Sequence, residues 1–367
     1  MGLATASGGR KPLLILVSAI ALPVVVALAV LAFAWPAARI APRDLPLGVV
    51  ESGPASTSMV LALEQAEPGA FTITLYGTDA AARDAIKNRE VYGALEPGAG
   101  QLTVLTASAA SPTVAQLIVQ VGDTIAQKST AHGTSLKVAT DDVVPSSVKD
   151  PRGVVISSAL LPMTLCGTIV AAVVALLVGI RPAWRQIIAL AIACSLTALA
   201  AYLVAQGYLG ALPGQHLETW GALALTMFAM SATIAGFIAL IGPAGMALGA
   251  VLLVFLGNPF SGVTSAPELL PTAVSDIGQL LPPGAAASLL RNTAYFDGHG
   301  PAAHLAVLIG WSLFGILAIL VGHHSFIGHA ARKSRAVHGR SVKADEHVVV
   351  SAPVLERVGG SADNHGV

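Results

Sequence analysis

Residues 13–35 read LLILVSAIALPVVVALAVLAFAW, twenty-three consecutive positions without a charged side chain. Arg10 and Lys11 precede the run, as they would precede a secretory signal, but the apolar part of a signal peptide is only about 7 to 15 residues long. Crossing a bilayer takes about 20. The stretch therefore reads as a retained transmembrane helix with Trp35 at its far interface, where amphipathic rings settle. The Ala-rich Ala37-Ala38-Arg39 that follows offers a cleavage site, and the length of the run weighs against its use.

The whole chain shares this character. Of 367 residues 54% are hydrophobic and 11% charged, against roughly 25% charged in soluble domains. The formal net charge is zero, and outside the tail no basic stripe carries interleaved aromatics, which argues against a nucleic-acid partner. Cys166 and Cys194 each sit inside an apolar run, with no spacing for a zinc cluster or disulfide framework, and read as small packing residues.

Beyond Asp150 the apolar runs return at Val154 to Ile180, Ile187 to Gln206, Trp220 to Ile241, Gly245 to Leu256 and Ala303 to Val321. The run from Gly245 has only twelve residues, so it must tilt or recruit Ile241 to Ala244 or Gly257 to Phe260. The expected fold is an α-helical bundle of about six transmembrane helices with a small α/β extracytoplasmic domain between the first two. Residues 1–12 form a cytoplasmic N-terminus, 13–35 the first span and 41–150 the inserted domain. Residues 154–322 supply five more spans, with an outer re-entrant-like segment at 258–298, and 323–367 form a disordered cytoplasmic tail. Orientation follows from the positive-inside rule. Arg10 and Lys11, then Arg181 and Arg185, then Arg332, Lys333, Arg335, Arg340 and Lys343 all fall on one side, which places both termini in the cytoplasm. The last cluster also suits anionic lipid heads.

Within 41–150, short β-branched runs alternate with helical stretches. Leu47 to Val50 reads as a strand, Ser56 to Gln65 as a helix and Phe71 to Leu75 as a second strand, which together make a βαβ unit. Thr78 or Asp79 caps a helix to about Asn88. Strands at Val91 to Leu95 and Leu102 to Thr106 precede a longer helix from Ser111 to Gln127.

Signatures of chemistry are missing. No Gly-x-x-x-x-Gly-Lys-Ser/Thr loop, Gly-x-Ser-x-Gly or His-Glu-x-x-His occurs, so the chain reads as no enzyme, with no cofactor, and any nucleotide-driven work needs a separate motor. His323, His324, His329 and His338 lack partners at ligand spacing, which leaves no metal site. The apolar runs hold no Asp, Glu, Lys or Arg, and only His304 near one end; this argues against a proton-coupled antiporter. Ser157, Ser158, Thr164, Thr168, Ser195 and Gln206 bond across helices or back to their own. Pro23 and Pro162 are candidate kinks. Gly245 and Gly249 form a Gly-x-x-x-Gly pair that serves either packing within the bundle or a homodimer seam. Between the fifth and sixth runs, Asn258-Pro259-Phe260-Ser261-Gly262, Pro267 to Pro271 and Leu281-Pro282-Pro283-Gly284 break the apolar pattern. Such sequence suits short helices dipping into the outer interface. Glu268, Asp276, Arg291 and Asp297 then lie at the outer rim, where they either shape a substrate exit or anchor helix ends in water.

This layout resembles the ABC exporter permeases of the second type over most of residues 13–322. Leu47-Gly48-Val49-Val50, the capped helix from Asp79 and Val91-Tyr92-Gly93-Ala94-Leu95-Glu96-Pro97 are similar to the domain inserted after the first helix in many of them. The segment ending in Leu289-Leu290-Arg291 resembles their outer re-entrant helices. The layout is also similar to phage-infection-protein-like membrane proteins, whose outer domains are often much larger. The resemblance implies a homodimer in a bacterial plasma membrane, paired with a separate ATP-binding subunit that drives a lipid, drug or peptide outward. In that family an amphipathic helix before the first span usually docks the ATPase; Met1 to Pro12 carry Gly8-Gly9 and no helical period. The expected contacts are instead Arg181, Trp184 and Arg185, with the basic tail. The other reading is a non-transporting scaffold or secretion accessory whose outer domain binds a partner.

Overall fold

A computed structural model describes residues 10–131, 136–178, 182–300 and 302–323, with the side chains of 10–18 and 131 excepted. The first nine residues, Arg181 and the tail from His324, including its histidines and basic cluster, lie outside the described residues. The molecule is mostly helical. Six helices are long and apolar enough to cross a membrane, compatible with a multi-pass membrane protein, and one small sheet stands beside them.

Helix α1 spans Arg10–Ala37 and leads into β1, Leu45–Val50. There follow α2 (Pro54–Ala66), β2 (Phe71–Tyr76), α3 (Asp79–Lys87), β3 (Gly93–Gly98), β4 (Gln101–Thr106), α4 (Pro112–Ala131) and β5 (Lys137–Asp142). The sheet order is β2-β1-β3-β4-β5. β1 runs parallel to β2 and β3, β3 and β4 form an antiparallel hairpin, and β5 lies parallel to β4. Thr78 caps α3 by accepting from the Ala81 amide at 3.1 Å. Leu45, Leu47, Ile86, Leu95, Leu102 and Ile118 are fully buried between sheet and helices. β5 is absent from the sequence expectation, and β3 starts two residues later than the strand expected from Val91.

The chain enters the remaining helices through Asp150, whose buried carboxylate accepts from the Val154 and Val155 amides at 3.0 and 2.9 Å. That cap opens α5, Val154–Val178; α6 follows at Ala183–Tyr208, α7 at His216–Ile241, α8 at Pro243–Phe260 and, after the segment described below, α11 at Ala303–His323. The short fifth run is extended at both ends into α8, and Gly242 at φ +70° turns the chain between α7 and α8. α7 starts four residues before Trp220 and so gains His216 and Glu218 in its first turn, while Arg185 lies in the first turn of α6. The interiors of these helices remain free of charge.

α7 is the central helix, with 56% of its most apolar window buried, whereas α1 is the most exposed at 6%. Small residues let the others approach it. A Cβ on Gly245 would lie 2.1 Å from the Phe237 carbonyl oxygen, one on Gly249 2.8 Å from the Ile234 side chain, and one on Gly315 2.4 Å from the Ala232 backbone. The Gly-x-x-x-Gly pair thus faces α7 of its own chain. Ser231 donates across to the Gly167 carbonyl of α5 at 3.0 Å, while Thr164 and Thr168 bond back to carbonyls four residues earlier. Residues Val251–Gly257 of α8 are π-helical just ahead of Pro259. Pro259 has no amide hydrogen to donate, and the irregularity is tied down by buried Asn258, which donates to the Leu253 carbonyl at 2.9 Å and to Thr164 Oγ1 at 3.2 Å.

Candidate functional site

Between α8 and α11 the chain makes a turn of 3-10 helix at Pro267–Leu269, then α9 (Thr272–Leu280) and α10 (Pro282–Tyr295). Prolines punctuate it because each sits at or just before a helix start, where the missing N–H is not needed. α10 is buried almost throughout. The sheet unit rests on this segment: Ala266, Leu269 and Phe296 belong to the same core cluster as Leu47 and Leu95. Two backbone bonds, from the Ala41 amide to the Leu269 carbonyl and from the Arg43 amide to the Glu268 carbonyl, each 3.0 Å, bind the strand leading to β1 against it. Ser111 donates to the Ser265 carbonyl as well.

At this junction charged side chains gather under low exposure. Arg89 follows α3 with φ +60°, the left-handed region that an arginine adopts only when its surroundings hold it. Its guanidinium reaches Asn292 Oδ1 and the Ser288 carbonyl on α10 and lies 5.1 Å from the centre of the Phe296 ring. Tyr92, three residues on, donates to Glu268 at 2.8 Å. Burial and the neighbouring Glu268 hold the Tyr92 phenol well above its usual range. Arg291 is 5% exposed. Its hydrogen bond among the described residues goes to the Val263 carbonyl, and no carboxylate there lies within ion-pair distance of it. Burial, followed by repulsion from Arg89, brings its pKa down to about 10. A cavity of about 210 Å³ opens here, walled by Arg89, Tyr92, Glu268, Gln279, Ser288 and His304, with Glu90 also on its border.

The structure therefore brings together two of the four residues expected at the rim, Glu268 and Arg291, and leaves the other two apart. Asp276 is exposed on α9. Asp297, at φ +49°, lines a separate cleft of about 400 Å³ with Asp84, Lys87 and His299. Arg89 and Tyr92 escape sequence reasoning, since their partners lie about 200 positions away. Arg89 sits just past a helix end, where φ above zero is common, and this was the one local signal. Trp184 is 57% exposed, with the Arg185 guanidinium 5.3 Å from its ring centre. Both sit at the start of α6, whereas its other end meets the sheet unit, where Ser147 donates to the Gly210 carbonyl. That separation is about 35–40 Å at 1.5 Å per residue. Elsewhere on the unit, α2 and α4 flank an apolar groove of about 800 Å³ floored by Leu63, Phe71, Leu117 and Val121.

The junction has donors and acceptors for binding a polar group. Among the described residues no cluster of His, Cys, Asp and Glu could hold a metal ion. No family model, curated protein or solved structure matches the chain.

Proposed function

We propose that this chain is the membrane subunit of an ATP-driven exporter, acting as a homodimer in a bacterial plasma membrane with both termini cytoplasmic and the sheet unit outside. A separate ATP-binding subunit supplies the energy, and a lipid, drug or peptide moves outward. The observation that carries this reading is the continuity of the sheet unit's core into the segment between α8 and α11 through Ala266, Leu269 and Phe296. With such continuity, a movement of the helices at one end is handed to the unit as a body. Trp184 and Arg185, exposed at the opposite end, are the described residues assigned to the ATPase contact, with Arg181 beside them in sequence.

The test is purification from the native host in mild detergent, with mass spectrometry of the co-purifying proteins. The expected result is an ATP-binding subunit in stoichiometric amount that is lost from the double variant Trp184→Ala, Arg185→Glu. Its absence, together with recovery of an extracytoplasmic protein, would replace this reading by a second one. In that case the chain is a scaffold or secretion accessory, and the apolar groove between α2 and α4 is the surface that favours it.

A further inference from the structure

Between α5 and α6 lies a crevice of about 520 Å³, walled by Ala159 and Cys166 of α5 and by Ala200 and Ala201 of α6, with buried Met227 of α7 behind them. It opens on the outside of the bundle, where Val154 and Val204 on its border are exposed. Its size falls among small-ligand sites, about 300–1,000 Å³. Alanines leave the space, and α6 winds into a π-helix over Leu203–Tyr208 along one side. No charged residue lines it. From Val154 to Cys166 the wall runs about 18 Å, the reach of one leaflet in a hydrocarbon layer about 30 Å thick.

Two hydrogen-bonding groups on this wall are left over. Pro162 lies four residues after Ser158 and has no amide hydrogen, so the Ser158 carbonyl loses its helical donor. The Ser158 hydroxyl has no partner among the described residues. It does not bond back to its own helix as the sequence suggests; the Val154 carbonyl four residues earlier receives the Ser157 hydroxyl instead, at 2.9 Å. Thr164, Thr168 and Thr197 keep the usual arrangement, each donating to a carbonyl four residues back. Ser158 and Pro162 both line the crevice. Hydrocarbon holds no water to serve such groups, and leaving them open is costly.

We infer that this crevice binds an uncharged lipid with a free hydroxyl, which donates to the Ser158 carbonyl and accepts from the Ser158 side chain while its hydrocarbon lies along the alanines. A charged headgroup finds no counter-charge there, and a plain hydrocarbon chain leaves both groups unserved. Met163 and Met227 on the wall adapt to the shape of the chain. The assignment rests on the placement of α5 and α6 in a membrane and holds with or without an ATPase subunit, so its failure is separable from that of the export reading.

The experiment uses the full chain, delipidated in an amine-oxide detergent, which has no hydroxyl of its own. Native mass spectrometry follows adducts with oleyl alcohol, methyl oleate and 1-octadecene at equal mole fraction in the micelle. The alcohol should be retained at least tenfold better than the hydrocarbon, with the ester, which accepts but cannot donate, in between. Ser158→Ala should weaken retention of the alcohol about two- to tenfold, the range of one hydrogen bond. Pro162→Ala, which returns an amide to the Ser158 carbonyl, should weaken it likewise and, with no probe present, should melt no lower than the parent protein. Ala200→Phe, at an exposed position on the wall, should abolish it. Bound alcohol should also slow alkylation of Cys166, the exposed cysteine on the wall, by N-ethylmaleimide. Equal retention of the three probes, retention unchanged in both Ser158→Ala and Pro162→Ala, or alkylation of Cys166 indifferent to bound alcohol would overturn the proposal.

Discussion

The sheet unit and the helical bundle are held together by opposite means. In the unit most of the fully buried positions are branched aliphatics, among them Leu45, Leu47, Ile86, Leu95, Leu102, Leu105 and Ile118, beside a few small residues such as Ala82 and Ala94. In the bundle they are mostly small or hydroxylated, among them Ala229, Ala232, Ala235, Thr226, Ser231 and Thr233 on α7, with Gly245, Gly249 and Gly315 set against it. The contrast follows from the surrounding solvent. Water rewards removal of apolar area, about 25 cal/mol per Å², so a domain in water gathers leucines. Lipid tails are as apolar as leucine and give no such reward, so helices associate by close backbone approach and interhelical hydrogen bonds. Large side chains such as Leu160, Leu190 and Ile234 are fully buried in the bundle too, so what marks the part built for lipid is the share of small and hydroxylated residues at its closest contacts.

Breaking the bundle's half of this contrast should have the largest effect. In Gly245→Val the added carbons meet the Phe237 backbone, which has no freedom to move aside; the expected outcome is loss of the monodisperse peak in detergent size-exclusion chromatography. Gly221→Ala, at a position where a new Cβ meets nothing within 4 Å, should elute as the parent does. In the unit, Leu47→Ala removes a fully buried side chain and should cost about 2–5 kcal/mol. Hydrogen exchange of the β1 and β3 amides would report the loss, while the elution position stays unchanged. Asp150→Ala, which uncaps α5 where the two regions meet, should cost about 0.5–2 kcal/mol, seen as faster exchange at Val154 and Val155. The smallest effect is expected at Arg83, which pairs with Asp79 and Asp141 at 2.7 Å but is about a third exposed. Arg83→Met should change the unit's stability by no more than about 1 kcal/mol, and a larger change would mean that the edge of the sheet depends on charge more than its core does.

Much of the contrast was legible in the sequence, and its gaps have physical causes. The six apolar helices stand out because lipid demands about twenty apolar residues in a row, a local requirement. Strand β2, FTITLY, shows the branched and aromatic alternation of a half-buried strand, and β1, LPLGVV, the apolar run of a strand buried on both faces. β5, Lys137–Asp142, shows neither: KVATDD has a charged residue at each end and is partly exposed on both faces at the sheet edge. Its strand conformation comes from backbone pairing with β4, a partner 36 residues away. For the candidate site, the broken sequence of 258–298 marked the region and placed Glu268 and Arg291 in it. Nothing local to Arg89 or Tyr92 announces α10, because a charge cluster assembled by tertiary contact leaves no periodicity in either contributing segment.

The π-helical stretch of α8 has a further consequence, one of membrane thickness. Eighteen residues at the α-helical rise reach about 27 Å, already short of the roughly 30 Å hydrocarbon layer. Winding Val251–Gly257 into a wider coil shortens the reach again. Lipid around α8 must then thin to meet it, at a cost that grows with each ångström of mismatch, so a membrane of short acyl chains accommodates this flank of the protein better than a thick one.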